Sequence, residues 1–284
     1  MRPKIVRVLL IVNLHKDDSR LLMRSIEKDL RDEGFAVDVF AFEGKPESSP
    51  GGEYDIVFSL GGDGTVLFAA RELASHGVPI LPINLGTLGF IASVHRDDWR
   101  CSFDEWLEGK ASVSERLMLD VRVERLGCEL HSFSCLNDAV VSAGGISKII
   151  RLDATMDSIR LGRYRADGLI VATPTGSTAY SVAAGGPILD PEMEAIILNP
   201  VCPFTLSNRP IVIPAEGDLT ITVETEQRSA VILTIDGQIV VSLEPGDALI
   251  VRKASRKAIL VASDRGDFFT ALRSKLNWSG GPDA

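Results

Sequence analysis

The chain has 284 residues, of which 45% are hydrophobic and 24% charged, and its formal net charge is −9 at pH 7. This length is sufficient for two domains with separate cores, and the composition is typical of a globular protein. The acidic balance argues against non-specific nucleic-acid binding, which requires a basic face, so no nucleic-acid partner is expected.

The cysteine and histidine patterns do not indicate a metal site or a disulfide scaffold. The four cysteines contain no CxxC pair and the four histidines contain no HExxH motif. Neither a zinc site nor a metalloprotease is therefore predicted, and scattered cysteines fit a reducing compartment.

An apolar run covers residues 5–12, is interrupted by Arg7, and leads into charged residues without a small-residue cleavage site. This pattern favours a buried strand over a signal peptide. No apolar run in the sequence is long enough to span a membrane. We therefore expect a cytoplasmic protein without a membrane partner.

Strands and helices alternate over the first 112 residues. The predicted strands are residues 5–12, 35–42, 55–60 and 78–83, and the predicted helices are residues 19–33, 66–76 and 97–108. This alternation predicts an α/β domain with a parallel sheet and helices on both faces. In such sheets, ligands bind beyond the carboxyl ends of the strands.

The third predicted strand runs into a glycine-rich loop, Gly61-Gly62-Asp63-Gly64-Thr65. Glycines let the backbone turn sharply and approach a ligand, and the N–H groups of such a turn can bind an anion. Because Asp63 repels a phosphate, its expected uses are a metal contact or proton abstraction from a hydroxyl; the alternative is a helix cap. A second loop, residues 84–90, follows the next strand and is expected to share the same cleft.

From about residue 113 the pattern changes to short segments rich in Val, Ile and Thr. The predicted strands are residues 117–126, 129–136, 139–142, 148–156, 158–161, 169–172, 219–223, 230–235, 238–242 and 248–252. They predict an all-β sandwich over residues 113–254. A helix predicted at residues 267–278 is expected to pack the segment 255–284 back on the first domain, residues 1–112.

The most specific stretch is residues 167–180, in which Thr173-Pro174-Thr175-Gly176-Ser177-Thr178-Ala179-Tyr180 joins a strand to a helix. Hydroxyls and exposed N–H groups in such a turn suit a polar planar ligand or a phosphate, and Tyr180 can stack on a base. The structural alternative is capping by Thr175 or Ser177. Capping needs one hydroxyl, whereas this turn offers several, so ligand binding is favoured.

Two further pairs are open to more than one interpretation. Asn137-Asp138 lies between apolar strands and can hold two ribose hydroxyls, or form an Asx-turn. Asp236-Gly237-Gln238 is most simply a hairpin turn between two apolar runs.

Several of these segments together resemble the NAD kinase family, in their order and at its spacing. They are residues 61–65, 84–90, 137–138, 167–180, 185–187 and 207–210. The resemblance runs from about residue 5 to residue 279. The glycine–aspartate loop also occurs in diacylglycerol and sphingosine kinases and, in related form, in phosphofructokinases, whereas the turn at 173–180 is more specific to NAD kinases.

The resemblance implies an α/β amino domain and a β-sandwich carboxyl domain with the active site between them. It implies transfer of a phosphoryl group to the 2′-hydroxyl of the adenosine ribose of NAD, giving NADP, with Asp63 as general base. It further implies a homodimer or homotetramer in which some ligand contacts cross subunits.

The ligand contacts that the resemblance and the glycine loop imply are Gly61, Gly62, Gly64, Phe90, Asn137, Asp138, Lys148, Arg165, Asp167, Thr178, Ala179, Tyr180, Ala183 and Gln238. Asn137 and Asp138 match the pair that holds the adenosine ribose, with Asp138 in place of the usual Glu. Phe68 stands where many members have a basic or polar residue that touches phosphate, and Phe204 where many have His.

The expected donor is ATP or polyphosphate, with Mg²⁺ bridging its phosphates in the nest formed by residues 61–64. The sequence contains no Walker A pattern, so a P-loop kinase is not predicted. Two alternatives stay open from the sequence: a lipid kinase of the diacylglycerol type that shares the glycine–aspartate loop, and a non-catalytic NAD(P)-binding sensor.

Overall fold

A computed structural model describes residues 6–15, 18–86, 89–145, 149–205, 208–227 and 229–276. The chain folds into two compact units, one formed by Met1–Arg116 with Lys257–Ala284 and the other by Leu117–Arg256. The domain limits predicted from the sequence, after residues 112 and 254, stay predictions; the compact units change over after residues 116 and 256.

The first unit begins with β1 (Arg7–Asn13), α1 (Ser19–Asp32), β2 (Ala36–Phe42), β3 (Ile56–Gly61), α2 (Asp63–Leu73), β4 (Ile80–Asn84), β5 (Val94–His95), α3 (Trp99–Leu107) and β6 (Val113–Arg116). The second unit contains β7 (Leu119–Arg125), β8 (Cys128–Cys135), β9 (Asp138–Ala143), β10 (Ile150–Met156), β11 (Ile159–Ala166), β12 (Gly168–Ala172), α4 (Tyr180–Ala183), β13 (Ala195–Val201), β14 (Ile211–Pro214), β15 (Leu219–Val223), β16 (Val231–Ile235), β17 (Ile239–Leu243) and β18 (Ala248–Lys253). The chain then returns to the first unit with β19 (Ala258–Val261) and α5 (Arg265–Leu276). Short 3₁₀ turns follow α2 at Ala74–His76 and precede α4 at Thr175–Thr178.

Within its described residues, the first unit contains a seven-stranded sheet in the order β2-β1-β3-β4-β19-β6, with β5 paired to β4. Strands β1 to β5 and β19 run parallel along this path, and every residue of β3 and β4 is buried, as expected for central strands covered on both faces. The predicted α/β class is therefore confirmed. The sheet is mixed rather than purely parallel, because the edge strand β6 runs antiparallel to β19.

The core of the first unit contains a cluster of aromatic rings between the sheet and its helices. Phe103 of α3 is fully buried, and its ring centroid lies 5.1 Å from that of Phe58 and 5.3 Å from that of Phe35. Ile26 and Leu30 of α1 belong to the same core, at the spacing that predicted the helix. This packing fixes the carboxyl end of β3, where the glycine loop begins.

The second unit is a sandwich of antiparallel sheets, as predicted. In its described part, one six-stranded sheet has the order β11-β10-β15-β18-β7-β8 and the other the order β14-β13-β12-β9-β16-β17. Burial alternates along most strands, since one face of each sheet packs against the other sheet. The opposite face of the second sheet carries a separate apolar cluster, Val140, Ile170, Ala172 and Ile197, beside Ala184 and Leu189.

The ends of the chain differ little from the predicted elements. The last helix, α5, covers Arg265–Leu276 and belongs to the first unit; residues 277 and 278 of the predicted helix lie outside the described residues. Over the described ranges, no helix is long and apolar enough to cross a membrane.

Replacement of Phe103 by alanine tests the aromatic core of the first unit. Phe103→Ala is expected to lower the free energy of unfolding by about 3–5 kcal/mol, because a fully buried ring is removed and the site cannot collapse completely. Urea denaturation followed by circular dichroism measures this loss. Ile159→Ala is the control, since that side chain is 69% exposed and its loss should change stability by less than about 0.5 kcal/mol. Equal effects of the two substitutions would contradict the packing.

Candidate functional site

The glycine loop forms a tight turn between β3 and α2. Gly61 ends β3, Gly62 precedes the helix, and α2 begins at Asp63. A Cβ on Gly61 would lie 2.1 Å from the Thr65 Oγ1, so the turn admits no side chain there. Around Gly62 a Cβ would meet no atom within 4 Å, and Gly64 is exposed. The backbone of the turn is therefore open to a ligand at Gly62.

The carboxylate of Asp63 is held by three backbone N–H groups from a distant segment. Phe90 donates to Oδ2 at 3.0 Å, and Ile91 and Ala92 donate to Oδ1 at 3.2 and 2.9 Å. The helix-cap alternative is not favoured, because the N-cap of α2 is Gly62 and the Asp63 carboxylate accepts its bonds from residues 90–92. A carboxylate offers about four acceptor positions, so three bonds fix its orientation and leave it able to accept a hydroxyl proton.

The segment that holds Asp63 is built to receive it. A Cβ on Gly89 would lie 1.8 Å from the Asp63 Oδ1, so only glycine leaves room for the carboxylate. Asn84 fixes the segment at both ends, since its Oδ1 accepts from the Gly86 N–H at 2.7 Å and its Nδ2 donates to the Ala92 carbonyl at 3.2 Å. The two predicted loops thus lie side by side in the first unit; Thr87 and Leu88 lie outside the described residues.

Phe90, a predicted ligand contact, is engaged with the last helix. Its ring centroid lies 6.3 Å from that of Phe268 in α5, and the Lys275 Nζ lies 5.4 Å from its centre. Its backbone N–H is the donor to Asp63. Phe90 therefore connects α5 to the carboxylate through its ring on one side and its amide on the other.

A second group of predicted residues surrounds a cavity of about 330 Å³ in the second unit. Its lining consists of Asn137, Asp138, Val140, Ser142, Ala179, Tyr180, Thr234, Asp236 and Gly237. The structure thus brings together four of the predicted contacts: Asn137, Asp138, Ala179 and Tyr180. Tyr180 is half-exposed and presents its ring to this region.

Asp138 is buried at one side of this cavity. Burial, reinforced by the neighbouring Asp236 carboxylate, raises the pKa of the Asp138 carboxyl from 3.8 to about 7. Besides Asp138 and Asp236, the described lining contains one more titratable side chain, that of Tyr180. Asp138 therefore changes its charge near neutral pH instead of being ionised throughout the physiological range.

The hydroxyls of the turn at 173–178 serve mainly the fold, contrary to the argument that favoured ligand binding. Thr173 Oγ1 donates to the Leu136 carbonyl and accepts from the Gly176 N–H at 3.0 Å. Ser177 Oγ accepts from the Leu189 N–H at 3.1 Å, and Thr178 Oγ1 donates to the Thr175 carbonyl at 3.3 Å. The number of hydroxyls in the sequence could not show which of them bond the fold and which are left for a ligand, because their partners lie up to 37 residues away.

Two buried polar atoms, one within this turn and one beside it, are not paired by the described part of the fold. Among the described residues, Thr175 Oγ1 and Asn137 Oδ1 are buried and have no hydrogen-bond partner. Gly176 lies next to Asn137, since a Cβ on Gly176 would lie 2.1 Å from the Asn137 carbonyl oxygen. Buried polar atoms are normally paired. Because Asn137 lines the cavity, a polar ligand there could supply the missing hydrogen bond to its Oδ1.

Other predicted contacts lie outside the lining of the cavity: Arg165, Asp167, Thr178, Ala183 and Gln238. The Arg165 guanidinium lies 4.6 Å from the centre of the Phe204 ring, which is 62% exposed, and the Phe204 N–H donates to the Arg165 carbonyl at 2.8 Å. Asp167 is joined through its backbone to Val201 and Ala143. Lys148 lies outside the described residues.

Phe68 proves to be a core residue. Its ring is buried and stacks on Phe40 at a centroid distance of 5.7 Å. Helix α2 therefore presents an apolar side chain to the sheet at this position, and the Phe68 ring is not available to a phosphate.

Sequence reasoning missed the role of Asp236. The hairpin turn was predicted correctly, since the Gln238 N–H donates to the Ile235 carbonyl at 2.9 Å and joins β16 to β17. Its aspartate, however, is buried and accepts N–H bonds from residues 136–138. No local signal reveals this contact, because its partners lie about 100 residues earlier in the chain.

The pKa of Asp138 predicts a pH-dependent stability. The folded chain holds an extra proton on Asp138 between about pH 4 and pH 7, so this residue makes the protein less stable as pH rises through that window. Asp138→Asn removes the effect, and its stability should rise relative to wild type by up to about 1.4 kcal/mol per pH unit. Urea denaturation from pH 4.5 to 8 measures the difference. Parallel curves for the two proteins would contradict the buried, protonated carboxyl.

Known families match about half of the first unit and most of the second. Residues 47–111 match the ATP-NAD kinase N-terminal domain, and residues 136–263 match the ATP-NAD kinase C-terminal domain. These matches include the glycine loop, the segment that holds Asp63 and the cavity of the second unit.

Two relatives that are more than 40% identical to this chain are NAD kinases. The chain is 42% identical over 275 residues to an NAD kinase of Treponema denticola, covering 96% of this chain and 97% of the relative. It is 44% identical over 224 residues to an NAD kinase of Geobacter sulfurreducens, covering 79% and 78%.

Two solved structures extend the likeness to the fold. A yeast NADH kinase complexed with NADH has a TM-score of 0.85 and 26% identity, covering 98% of this chain and 90% of that one. An NAD kinase from Archaeoglobus fulgidus in complex with ATP has a TM-score of 0.73 and 25% identity, covering 94% and 97%. The resemblance seen in the motifs is confirmed, and the chain belongs to the NAD kinase family.

Proposed function

We propose that this chain transfers the terminal phosphoryl group of ATP to the 2′-hydroxyl of the adenosine ribose of NAD, giving NADP. The observation that carries the proposal is the Asp63 carboxylate, which three N–H groups hold at the carboxyl end of a buried parallel strand, beside a glycine turn with open backbone. Membership of the NAD kinase family supports the same activity. The lipid-kinase alternative is not favoured, because the relatives over most of the chain are NAD kinases.

Asp63 acts as the general base of this reaction. A ribose hydroxyl is a weak nucleophile at neutral pH, and a base that takes its proton as the oxygen–phosphorus bond forms contributes roughly 10²–10⁴-fold. The fixed orientation of the carboxylate favours this role, since the base does not have to be ordered when substrate binds. ADP leaves as the bond to the transferred phosphoryl group breaks.

The cavity of the second unit binds the adenosine part of NAD. Asn137 and Asp138 hydrogen-bond the ribose hydroxyls, and Tyr180 stacks on the base. The Asn137 Oδ1, which has no partner among the described residues, supports a polar ligand at this position. Contacts at Lys148, Arg165, Asp167, Thr178, Ala183 and Gln238 stay predictions.

The glycine turn binds the donor phosphates. The backbone at Gly62 can approach them closely, and the N-terminus of α2, an 11-residue helix, favours negative charge. A divalent cation such as Mg²⁺, when bound, would neutralise charge on these phosphates. No three His, Cys, Asp or Glu side chains come together among the described residues, which fits a cation carried mainly by phosphate oxygens.

Further properties complete the proposal. None of the four cysteines, all within the described residues, forms a disulfide, which is consistent with a reducing, cytoplasmic compartment. We expect a homodimer or homotetramer, as the resemblance to the family implies. Polyphosphate is the alternative donor to ATP.

Asp63→Asn tests the general base. The variant is expected to lower kcat at least 10²-fold, while the dissociation constant for NAD changes little because the cavity of the second unit is untouched. NADP formation from NAD, ATP and Mg²⁺ gives the rate, and calorimetry gives NAD binding. Near-normal turnover by the variant would exclude Asp63 as the base. An inactive wild-type protein that binds NAD would favour the sensor alternative.

Gly89→Ala tests the position of the carboxylate without removing it. The added Cβ would lie 1.8 Å from the Asp63 Oδ1, so the carboxylate must move, and kcat is expected to fall about 10²-fold. Gly51→Ala is the matched control, because a Cβ there meets no atom within 4 Å. If Gly89→Ala keeps the turnover of Gly51→Ala, the orientation of Asp63 does not matter for the reaction.

A further inference from the structure

We infer that Asp236 is a positioning residue of the dinucleotide cavity: its buried carboxylate holds Asn137 and Asp138 in their binding geometry and places a second negative charge beside the Asp138 carboxyl. The inference rests on the proposed function, since it takes NAD as the occupant of the cavity. The sequence around Asp236 predicts only a hairpin turn.

The Asp236 carboxylate grips the backbone of three consecutive residues. Its Oδ1 accepts from the Asn137 N–H at 2.8 Å and from the Asp138 N–H at 3.2 Å, and its Oδ2 accepts from the Leu136 N–H at 3.1 Å. In return, the Asp236 N–H donates to the Asp138 carbonyl at 2.9 Å. Four hydrogen bonds thus join the β16–β17 turn to the residues that carry the amide and carboxyl of the cavity.

Two of these residues, Leu136 and Asn137, are also held by Thr173. The Thr173 N–H donates to the Asn137 carbonyl at 2.9 Å, and the Thr173 hydroxyl donates to the Leu136 carbonyl. Segment 136–138 is therefore fixed between Asp236 and Thr173. If either anchor is lost, the side chains of Asn137 and Asp138 are no longer held at the cavity.

The turn alone does not explain an acid at position 236. Asp236 and Gly237 have φ values of 48° and 66°, a conformation in which Asn-Gly serves as well as Asp-Gly. An asparagine, however, offers a single acceptor oxygen and turns its NH₂ donors toward the remaining N–H group. Only a carboxylate can accept all three bonds, so the partners at 136–138 account for the acid.

The charge of Asp236 has a second effect on the cavity. Asp138 and Asp236 are 4% and 6% exposed, and Tyr180 is the other titratable residue among the described lining. The Asp236 carboxylate adds to burial in raising the pKa of the Asp138 carboxyl. An ionised Asp138 accepts bonds from both ribose hydroxyls, and such charge-assisted bonds are the stronger ones. NAD affinity is therefore expected to increase as pH rises through about 7.

Calorimetric titration of the full chain with NAD, from pH 5.5 to 8.5, separates the two effects. At pH 8.5, where Asp138 is ionised in both proteins, Asp236→Asn should weaken NAD binding roughly tenfold, because the segment is no longer fixed. The midpoint of the pH dependence should move to lower pH, because the repelling charge is gone. A purely structural role would weaken binding without moving this midpoint.

Asp157→Asn is the matched control. Asp157 also lies in a turn of the second unit at positive φ and accepts a backbone N–H, from Asp218 at 2.8 Å, but it does not line the cavity. The NAD affinity of Asp157→Asn and the midpoint of its pH dependence should equal those of the wild-type protein. Unchanged affinity and midpoint in Asp236→Asn, with wild type binding NAD, would overturn the inference alone; absence of NAD binding and turnover in wild type would overturn the proposed function.

Asp138→Asn keeps the test decisive if Asp236→Asn does not fold. This variant retains the backbone bonds to Asp236 and loses the titrating group, so its NAD affinity should no longer vary between pH 6 and 8. A pH dependence equal to that of wild type would overturn the inference.

Discussion

The three hydrogen bonds from residues 90–92 to Asp63 are the interaction on which the first unit's site depends. They join the turn after β3 to the segment after β4, which are neighbours only because the two strands pair in parallel. The carboxylate cannot be moved without breaking these bonds or meeting Gly89. The ring of Phe90 also contacts Phe268 of α5. The helix α5, near the end of the described residues, therefore supports the segment that holds the carboxylate of Asp63.

The second unit uses the same device at a different place. Asp236, like Asp63, precedes a glycine and accepts three N–H bonds from a short backbone segment far away in the sequence. In each case a turn that contains glycine brings a carboxylate, partly buried at Asp63 and buried at Asp236, to three backbone donors. Charge-assisted bonds of this type are strong and directional, so each aspartate fixes a loop that would otherwise be free to adopt several conformations. In the functions we propose, Asp63 presents its own carboxylate for chemistry, whereas Asp236 positions the side chains of its partners.

The distribution of polar groups in the second unit separates fold from binding. Backbone groups are the hydrogen-bond partners of the hydroxyls of Thr173, Ser177 and Thr178, and these bonds stabilise the turn. Thr175 and Asn137 keep buried polar atoms without a partner among the described residues. Of these two, Asn137 lines the cavity, and a ligand that pairs with its Oδ1 would recover the desolvation cost of that atom. Phe68 shows the reverse case, in which a position expected near phosphate is committed to the aromatic core.

The hydrophobic pattern of the sequence was sufficient to predict the α/β and β-sandwich classes, because periods of about 3.6 and 2 residues are set by residues that are neighbours in the chain. The glycine loop and the turn at 173–180 were also visible, since glycines and hydroxyls there form dense local patterns. The antiparallel direction of β6, the partners of Asp63 and the grip of Asp236 became apparent only in three dimensions. Each of these depends on contacts between segments far apart in the chain, and the identity of a residue does not record which distant backbone its side chain will meet.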